Sequence, residues 1–392
     1  MPIFFKEIAA RGMPAEVSTA WWGYANSLSG LILAVFAPIL GACADYQGWK
    51  KRFFALFLTI GITATALLYF CSEGAWLYCL GVFVIARTGW AGANVFYDAF
   101  ITDISDHREM DRVSAAGYAW GYIGSVIPFL LIIALIVTLQ KPDATETIPV
   151  LAAKLSFLIV ALWWLLLSLP MLRHVRQIHF IPLATRPLRT AWQRLVGTLR
   201  HLRAHRNAFT FLLAYFFYID GIDTIITMAV VYGVDIGISS TALILAILTI
   251  QVIAFPCTLI WGRLAKSFPA KRLLQAGIAV YSLITLIAFL LPSLSSIAEK
   301  TTGFWLLAIL VATSMGGIQA LSRSFYGRLI PPEQSGEFFS FYDIFGKFAA
   351  IIGPFLVGIT GQLSGDSRYG VLSVLLLFLA GSVILAQVKV ED

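Results

Sequence analysis

The chain has 392 residues, of which 59% are hydrophobic and 12% are charged. Soluble domains are about half apolar and about a quarter charged, so this composition excludes an ordinary soluble protein and favours a lipid environment. The formal net charge of +7 does not indicate nucleic-acid binding, because the basic residues lie between apolar segments and form no single basic face.

Eleven apolar segments are long enough to cross a bilayer, which takes about 20 residues per helix. Five precede a long polar loop and six follow it. We therefore predict an all-α membrane protein with helical bundles at 1–173 and 208–392, joined by a basic linker at 174–207. The predicted spans are 21–42, 53–70, 76–98, 115–139, 151–172, 209–231, 239–262, 272–291, 303–326, 339–363 and 369–388.

The first twelve residues, MPIFFKEIAARG, lack the basic start and the uninterrupted apolar centre of a signal peptide. Residues 1–5 look like the remainder of a further span that would precede the first predicted one. Entry into the membrane is therefore expected to depend on the spans themselves.

Lys and Arg are distributed unequally between alternate connections. Twenty lie on the side of the linker and the C-terminus, whereas the other side carries six: Lys6, Arg11, Lys141, Lys154, Lys300 and Arg368. The positive-inside rule then predicts a cytoplasmic linker and C-terminus, with Met1 outside. We expect a bacterial inner membrane rather than a vacuolar membrane.

The linker contains an amphipathic pattern, in which apolar residues recur at three- and four-residue spacing between arginines. This pattern predicts a basic helix on the membrane surface. Two roles remain open, a plain tether between the bundles and a lipid sensor. The residues of the pattern are Leu188, Trp192, Leu195, Leu199 and Leu202, with Arg189, Arg194, Arg200 and Arg203 between them.

The connection after the first predicted span reads GACADYQGWKKR from Gly41 to Arg52. Gly41 permits close helix approach, Asp45 is suited to pairing with a cation or a helix N-terminus, and Gly48 suits a tight turn. Lys50 and Lys51, with Arg52, are expected to contact lipid headgroups.

Two weak internal echoes suggest duplicated halves. The first echo relates Gly41 and the pair Lys50–Lys51 to Gly262 and the pair Lys271–Arg272, at an offset of 221 residues. In the second, Pro354-Phe-Leu repeats Pro128-Phe-Leu at an offset of 226 residues.

The turn from Gly41 to Arg52 resembles the signature loop of the major facilitator superfamily. Further motifs resemble its vacuole-effluxer, autophagy-associated permease branch. The resemblance implies twelve helices, of which the first is largely missing here, an alternating-access cycle and, for fungal vacuolar members, export of amino acids. The motifs are Asn94-Val-Phe-Tyr-Asp98, Asp111-Arg112-Val-Ser, Asp220-Gly-Ile-Asp223, Gly316-Gly-Ile-Gln319 with Arg323, and Glu337-Phe-Phe-Ser-Phe-Tyr-Asp343 with Lys347.

Ionisable groups inside spans cost at least ~2.5 to 3.5 kcal/mol each and therefore usually face a cavity or a partner. Arg87 shares one helical face with Trp90, Asn94 and Asp98. Its forked donors suit a substrate carboxylate, and a structural ion pair is the alternative. Asn94 is a second candidate for substrate contact, and Asp98 a candidate for an interface.

The helix that opens the second bundle carries a polar stripe made of Asp220, Asp223, Thr224 and Thr227. The two carboxylates and Thr227 are candidates for binding a proton or an amine. The alternative is an ion pair with Arg87 or Lys347.

Other polar residues of the second half receive more structural roles. Asp343 and Lys347 lie four residues apart and are expected to pair on one helix. Gln319 is a candidate for substrate contact. Arg323, and Arg112 of the first half, are expected to act at an interface or in a conformational change.

The sequence contains no Ser-His-Asp arrangement, zinc spacing or phosphate loop. We expect no enzyme, no cofactor and no metal, and a monomer whose partners are membrane lipids, a small solute and, in one interpretation, protons. Two alternatives remain open, a non-transporting sensor that keeps the transporter fold, and a drug or metabolite exporter.

Overall fold

The computed structural model describes residues 1, 4–140, 149–200, 205–235, 237–238, 240–349, 352–365 and 367–389. Within these residues, 11 segments are helical, long and apolar enough to cross a membrane. The prediction of an all-α membrane protein with eleven visible spans is confirmed. Lys141, Leu202 and Arg203 lie outside the described residues.

The helices are numbered in chain order. Those before the linker are α1 (Ala15–Ala44), α2 (Trp49–Leu67), α3 (Trp76–Ala99), the short α4 (Ile101–Ile104), α5 (Met110–Leu139) and α6 (Val150–His174). The linker contains α7 (Pro187–Arg200). After it come α8 (Arg206–Asp235), α9 (Ser240–Leu264), α10 (Ala270–Leu290), α11 (Ile297–Leu329), α12 (Ser335–Ala349), α13 (Ile352–Ser364), α14 (Ser367–Ser373) and α15 (Leu375–Ala386).

Local chemistry accounts for several helix boundaries. Ser296 and Glu299 form a capping box at the start of α11, with each side chain bound to the backbone N–H of the other residue. The predicted span 339–363 is divided between α12 and α13, and Pro354 lies in the first turn of α13. Proline is tolerated there because the first turn needs no intrahelical N–H donor.

The chain forms two compact units, and neither is a continuous stretch of sequence. Unit 1 consists of Met1–Ile104, Ile127–Val196 and Pro332–Ser340, and unit 2 of Ser105–Val126, Gly197–Pro331 and Phe341–Asp392. The linker helix α7 lies mainly in unit 1, as does the start of α12. The bundle boundaries predicted at 173 and 208 stay a prediction.

The core of unit 1 includes two clusters that bear on the candidate site. Near the N-terminus, the short π-helical segment Phe5–Ala9 packs its buried Phe5 against Trp22, with ring centroids 5.6 Å apart. At the other end of α1, Cys43, Tyr46 and Ala191 are fully buried in a common cluster, so α7 packs against the residues that follow α1.

Candidate functional site

Helices α1 and α12 touch at two glycines within unit 1. A Cβ atom on Gly41 would meet the carbonyl oxygen of Gly336 and would lie 2.9 Å from the Cβ of Ser340. A Cβ atom on Gly336 would lie 2.6 Å from the carbonyl oxygen of Gly41. The two backbones are therefore in direct contact, and only glycine fits on both sides without a shift.

Asp45 binds the start of α12. Its Oδ1 accepts a hydrogen bond from the Gly336 N–H at 2.7 Å, and its Oδ2 accepts one from the Glu337 N–H at 3.2 Å. A carboxylate at this position satisfies N–H groups that have no partner inside the helix and lies at the positive end of the helix dipole. Gly48, with φ of 75°, lets the chain turn between α1 and α2.

Arg194 of the linker helix joins two buried carboxylates. Its Nε donates to Glu337 Oε2 at 2.9 Å and its Nη2 lies 3.2 Å from Asp45 Oδ2. The same Nη2 donates to the carbonyl oxygen of Ala42, and the guanidinium lies 5.6 Å from the ring centre of Tyr46. One linker arginine therefore connects the end of α1 with the start of α12.

Lys50 forms a second buried ion pair. Its Nζ lies 2.7 Å from Asp103 Oδ2, both side chains are fully buried, and Nζ also donates to Ser335 Oγ at 2.8 Å. The prediction that Lys50 contacts lipid headgroups is wrong, because α2 begins at Trp49 and places Lys50 inside unit 1. Lys51 donates to the carbonyl oxygen of Val175 at 2.7 Å.

Asp103 also holds the start of the linker. Its Oδ1 accepts hydrogen bonds from the backbone N–H groups of Ile178 and His179, each at 2.8 Å. The two buried ion pairs and these backbone contacts form one network, named here the carboxylate cluster: Asp45, Lys50, Asp103, Arg194 and Glu337.

The carboxylate cluster has more acidic than basic groups, with three carboxylates and two cations. Burial raises the pKa of Asp45 to about 7, against the opposing effects of Lys50, Arg194 and the Gly336 N–H. The neighbouring Glu337 carboxylate raises the pKa of Asp45 further. Burial therefore disfavours the charged form of Asp45 inside the cluster.

Arg87, predicted to bind a substrate carboxylate or to form a structural ion pair, contacts a neutral side chain in unit 1. Its Nη1 donates to Asn26 Oδ1 at 2.6 Å, and Asn26 in turn donates to the carbonyl oxygen of Trp22 at 2.7 Å. Arg87 itself is exposed, whereas Asn94 and Asp98 on the same helix are half-buried. The remaining guanidinium donors are therefore accessible to a ligand.

Asp220 and Asp223 differ in their surroundings within unit 2. Asp220 is fully buried, and its two oxygens accept hydrogen bonds from the Gly353 N–H at 2.9 and 3.0 Å, so it caps the start of α13. Asp223 is half-buried, and its carboxylate accepts no hydrogen bond within the described part of unit 2. Thr227, one turn further on, is exposed. Asp223 is therefore the more available of the two carboxylates.

Gln319 and Arg323 both bind α5 within unit 2. Gln319 Oε1 accepts a hydrogen bond from the Tyr122 hydroxyl at 3.0 Å. The Arg323 Nε donates to Ser114 Oγ at 2.9 Å, and its guanidinium lies 4.7 Å from the ring centre of Tyr118. Arg323 is thus buried and engaged, whereas half-buried Gln319 keeps its amide N–H group for other contacts.

Three remaining predicted residues form local ion pairs. Lys347 Nζ lies 2.5 Å from Asp343 Oδ2 on α12, as their four-residue spacing predicts. Arg112 pairs with Glu109 at 2.6 Å on the exposed surface of unit 2. Surface pairs of this kind contribute about 0 to 1 kcal/mol, so Arg112 is not a strong structural determinant.

The sequence profile of the family described as Vacuole effluxer Atg22 like matches residues 13–392. The chain belongs to this family. The MFS-type transporter YxiO of Bacillus subtilis strain 168 is 46% identical over 394 residues, which cover 100% of this chain and 90% of YxiO. The Atg22-like protein is therefore a transporter of the major facilitator superfamily with several membrane spans.

More distant relatives include fungal proteins. Autophagy-related protein 22-1 of Aspergillus fumigatus is 27% identical over 310 residues, covering 74% of this chain and 49% of that protein.

The structure of the Escherichia coli fucose:proton symporter FucP matches with a TM-score of 0.71 at 14% identity, covering 94% of this chain and 92% of FucP. The proton:xylose symporter XylE matches with a TM-score of 0.71 at 11% identity, covering 99% of this chain and 90% of XylE. Both structural matches show the major facilitator fold.

Sequence patterns do not predict several residues that organise unit 1 of the Atg22-like protein. The amphipathic pattern of the linker assigns Arg194 to the membrane surface, and Glu337 stands out only as part of a motif. Asn26 and Asp103 carry no signal beyond being polar or acidic near an apolar span. Their contacts join segments far apart in sequence, and only the fold brings these segments together.

Proposed function

We propose that this protein is a secondary transporter that carries a small solute by alternating access, that amino acids are the solute class, and that the cycle is coupled to protons. It is not an enzyme in this proposal. The coarse function follows from the family, whereas the solute, the coupling and the cycle are proposed from the contacts and charges within each unit. The observation that supports the cycle most strongly is the carboxylate cluster at the start of α12.

Alternating access requires a closure that has two distinct states. In the closed state the buried carboxylates of Asp45 and Glu337 are compensated by Arg194 and by the N–H groups of α12. If α12 moves away, both carboxylates regain water and lose these partners together. Intermediate positions of α12 would leave the two carboxylates without water and without their partners, and such positions are unfavourable. The cluster therefore supports a gate with two states.

The solute proposal rests on the polar groups left available in each unit. In unit 1, Arg87 keeps free donors beside Asn26, and a guanidinium fork matches a carboxylate. In unit 2, Asp223 lacks a hydrogen-bond donor among the described residues and is suited to an ammonium group or a proton. Each unit thus offers a group suited to one of the two charges of an amino acid. Asn94 adds a neutral polar group in unit 1, and Thr227 and Gln319 add neutral polar groups in unit 2.

The test is uptake by purified protein in lipid vesicles. Radiolabelled amino acids are offered with and without an imposed pH difference, and sugars and organic anions serve as competing solutes. We expect Arg87→Gln to abolish uptake of the amino acid that the unmodified protein carries. Arg11→Gln is the matched control, because Arg11 is an exposed arginine paired with Glu73 at 2.7 Å.

Asp223→Asn tests the coupling separately. Uptake that persists in this variant without responding to the pH difference supports Asp223 as the proton-binding group. Uptake with unchanged pH dependence removes Asp223 from the mechanism. Failure of the unmodified protein to carry any amino acid, with sugars or drugs carried instead, refutes the solute class, and failure to carry any solute favours the sensor hypothesis.

We further propose that the membrane is a bacterial inner membrane, that the linker and the C-terminus are cytoplasmic, and that the protein acts as a monomer. The distribution of Lys and Arg supports this orientation.

A further inference from the structure

The linker is fastened to unit 1 along much of its length. The Ile181 N–H donates to the carbonyl oxygen of Asp45 at 2.8 Å, and the Tyr46 hydroxyl donates to the carbonyl oxygen of Pro187 at 3.1 Å. Together with the Asp103 contacts, these bonds hold the linker in one position. The linker is therefore fixed against unit 1, and the two roles considered for it, a plain tether and a lipid sensor, both stay predictions.

The linker helix α7 has two unlike faces. Ala191 is fully buried and Leu195 is 4% exposed, and both belong to the face that packs on unit 1. Leu188 is 63% exposed and Trp192 is 53% exposed, and their four-residue spacing places them next to each other, on the part of the helix surface that unit 1 does not cover. The predicted apolar stripe is therefore divided, and the placement of Leu195 on the membrane-facing side is wrong.

The contacts of the inner face place α7 at the level of a membrane boundary. Arg194 donates to the carbonyl oxygen of Ala42, which lies in the last turn of the candidate span Ala20–Ala44. The outer face of α7 is therefore near the depth at which hydrocarbon gives way to headgroups. Trp is enriched at that depth, because its ring is apolar and its indole N–H is polar.

The charge of the linker has a single sign. Residues 173–206 contain eight arginines and no Asp or Glu. Arg186 and Arg189 are exposed, and the exposed apolar side chains of Ile178 and Leu183 lie in the same segment. A surface that combines exposed large apolar groups with unopposed cations is complementary to an anionic lipid layer and is unusual for a face exposed to water.

We propose that the outer face of α7, with Leu188, Trp192 and Arg189, docks into the anionic headgroup layer of the membrane. Leu188 and Trp192 enter the boundary between headgroups and acyl chains, and Arg189 binds lipid phosphates. The inner face keeps Arg194 in the carboxylate cluster at the same time. This docking does not depend on which solute is carried.

The first experiment measures the depth of residue 192 in the full-length protein. Trp192→Cys is made in a Cys257→Ser background, because Cys43, Cys71 and Cys79 are buried and Cys257 is partly accessible. A fluorophore at residue 192 is exposed to aqueous iodide or to nitroxides carried on lipids, in nanodiscs of phosphatidylcholine alone or mixed with phosphatidylglycerol. His107→Cys, in an exposed turn of unit 2, is the matched labelling control.

In discs that contain phosphatidylglycerol, we expect a fluorophore at residue 192 to be quenched strongly by nitroxides attached near the lipid headgroups and to be protected from iodide. At residue 107 we expect strong quenching by iodide and weak quenching by the lipid nitroxides. Raising the salt concentration from about 0.1 M to about 1 M shortens the Debye length from about 10 Å to about 3 Å and should restore iodide access at residue 192.

The second experiment reverses one charge on the docking face. Arg189→Glu should lower the ratio of docked to undocked α7 at least about fivefold, since one basic residue near an anionic surface contributes about that factor. Lys6→Glu makes the same change of net charge on an exposed residue outside the linker and should leave the ratio unchanged.

If iodide reaches residue 192 freely in both kinds of disc, the proposal is overturned. If residue 192 is protected from iodide in both kinds of disc, the requirement for anionic lipid is overturned.

Discussion

Replacing Gly41 with alanine should separate the steric role of the contact between α1 and α12 from its charges. The new methyl group would collide with the backbone oxygen of Gly336, and backbone atoms have no side-chain rotamer by which to move away. Overpacking of this kind costs about 1 to 3 kcal/mol. The variant should therefore weaken the docked position of the segment Pro332–Ser340.

The same helix provides a matched control. Gly30 lies in α1, and no atom of another segment lies within 4 Å of the position that its Cβ would take, so Gly30→Ala adds a methyl group without a collision. Both substitutions stabilise the helix by up to about 1 kcal/mol, because alanine has a higher helix propensity than glycine. The difference between the two variants therefore isolates the collision, and it should amount to about 1 to 3 kcal/mol against Gly41→Ala.

Two measurements check this expectation. The free energy of unfolding in mild detergent, obtained with increasing denaturing detergent, gives the difference in stability. Hydrogen exchange of the Gly336 amide reports the contact itself, because that N–H is bound to Asp45 Oδ1 at 2.7 Å only while α12 is docked. Equal stability and equal exchange in Gly41→Ala and Gly30→Ala would refute the reasoning.

Three further predictions concern the charges of the carboxylate cluster. Arg194→Gln should destabilise unit 1 by about 3 to 5 kcal/mol, because Asp45 and Glu337 stay buried without their shared cation. Adding Glu337→Gln should recover part of this loss in the same denaturation assay. Lys50→Met should cost a similar amount by leaving Asp103 unpaired, and a double variant with Asp103→Asn should be closer to the unmodified protein. Since burial raises the pKa of Asp45 from 3.8 to about 7, its contribution to docking is complete below the ordinary pKa and is lost as pH rises through about 7. Exchange of the Glu337 amide, corrected for its intrinsic rate, should therefore be faster at about pH 8 than at about pH 6, and Asp45→Asn should abolish this difference.

The fold was largely predictable because membrane spans leave a strong signal in sequence. Long apolar segments such as 115–139 have few alternatives to a spanning helix, since lipid offers no partners for backbone groups. The turn at Gly48 and the pair Asp343–Lys347 were also predictable, because each depends on residues within one or two helical turns. Helix start positions were less certain, and α2 begins four residues before the predicted span at 53.

The environment of each charge was not predictable in the same way. Lys50 and Lys51 are adjacent in sequence, yet Lys50 is fully buried against Asp103 and Lys51 binds a backbone carbonyl of the linker. Asp220 and Asp223 share one polar stripe, yet only Asp220 caps α13. These differences depend on which distant segment packs against each residue, and hydrophobic spacing carries no information about that choice.

The carboxylate cluster and the linker also depend on each other. Asp45 and Glu337 tolerate burial only while Arg194 is present, and Arg194 is carried by a helix whose other face is largely exposed. Any force that pulls α7 away from unit 1 also removes the cation from the carboxylate cluster. An anionic membrane that holds the outer face of α7 in place would therefore favour the closed cluster, and loss of that lipid would favour its release.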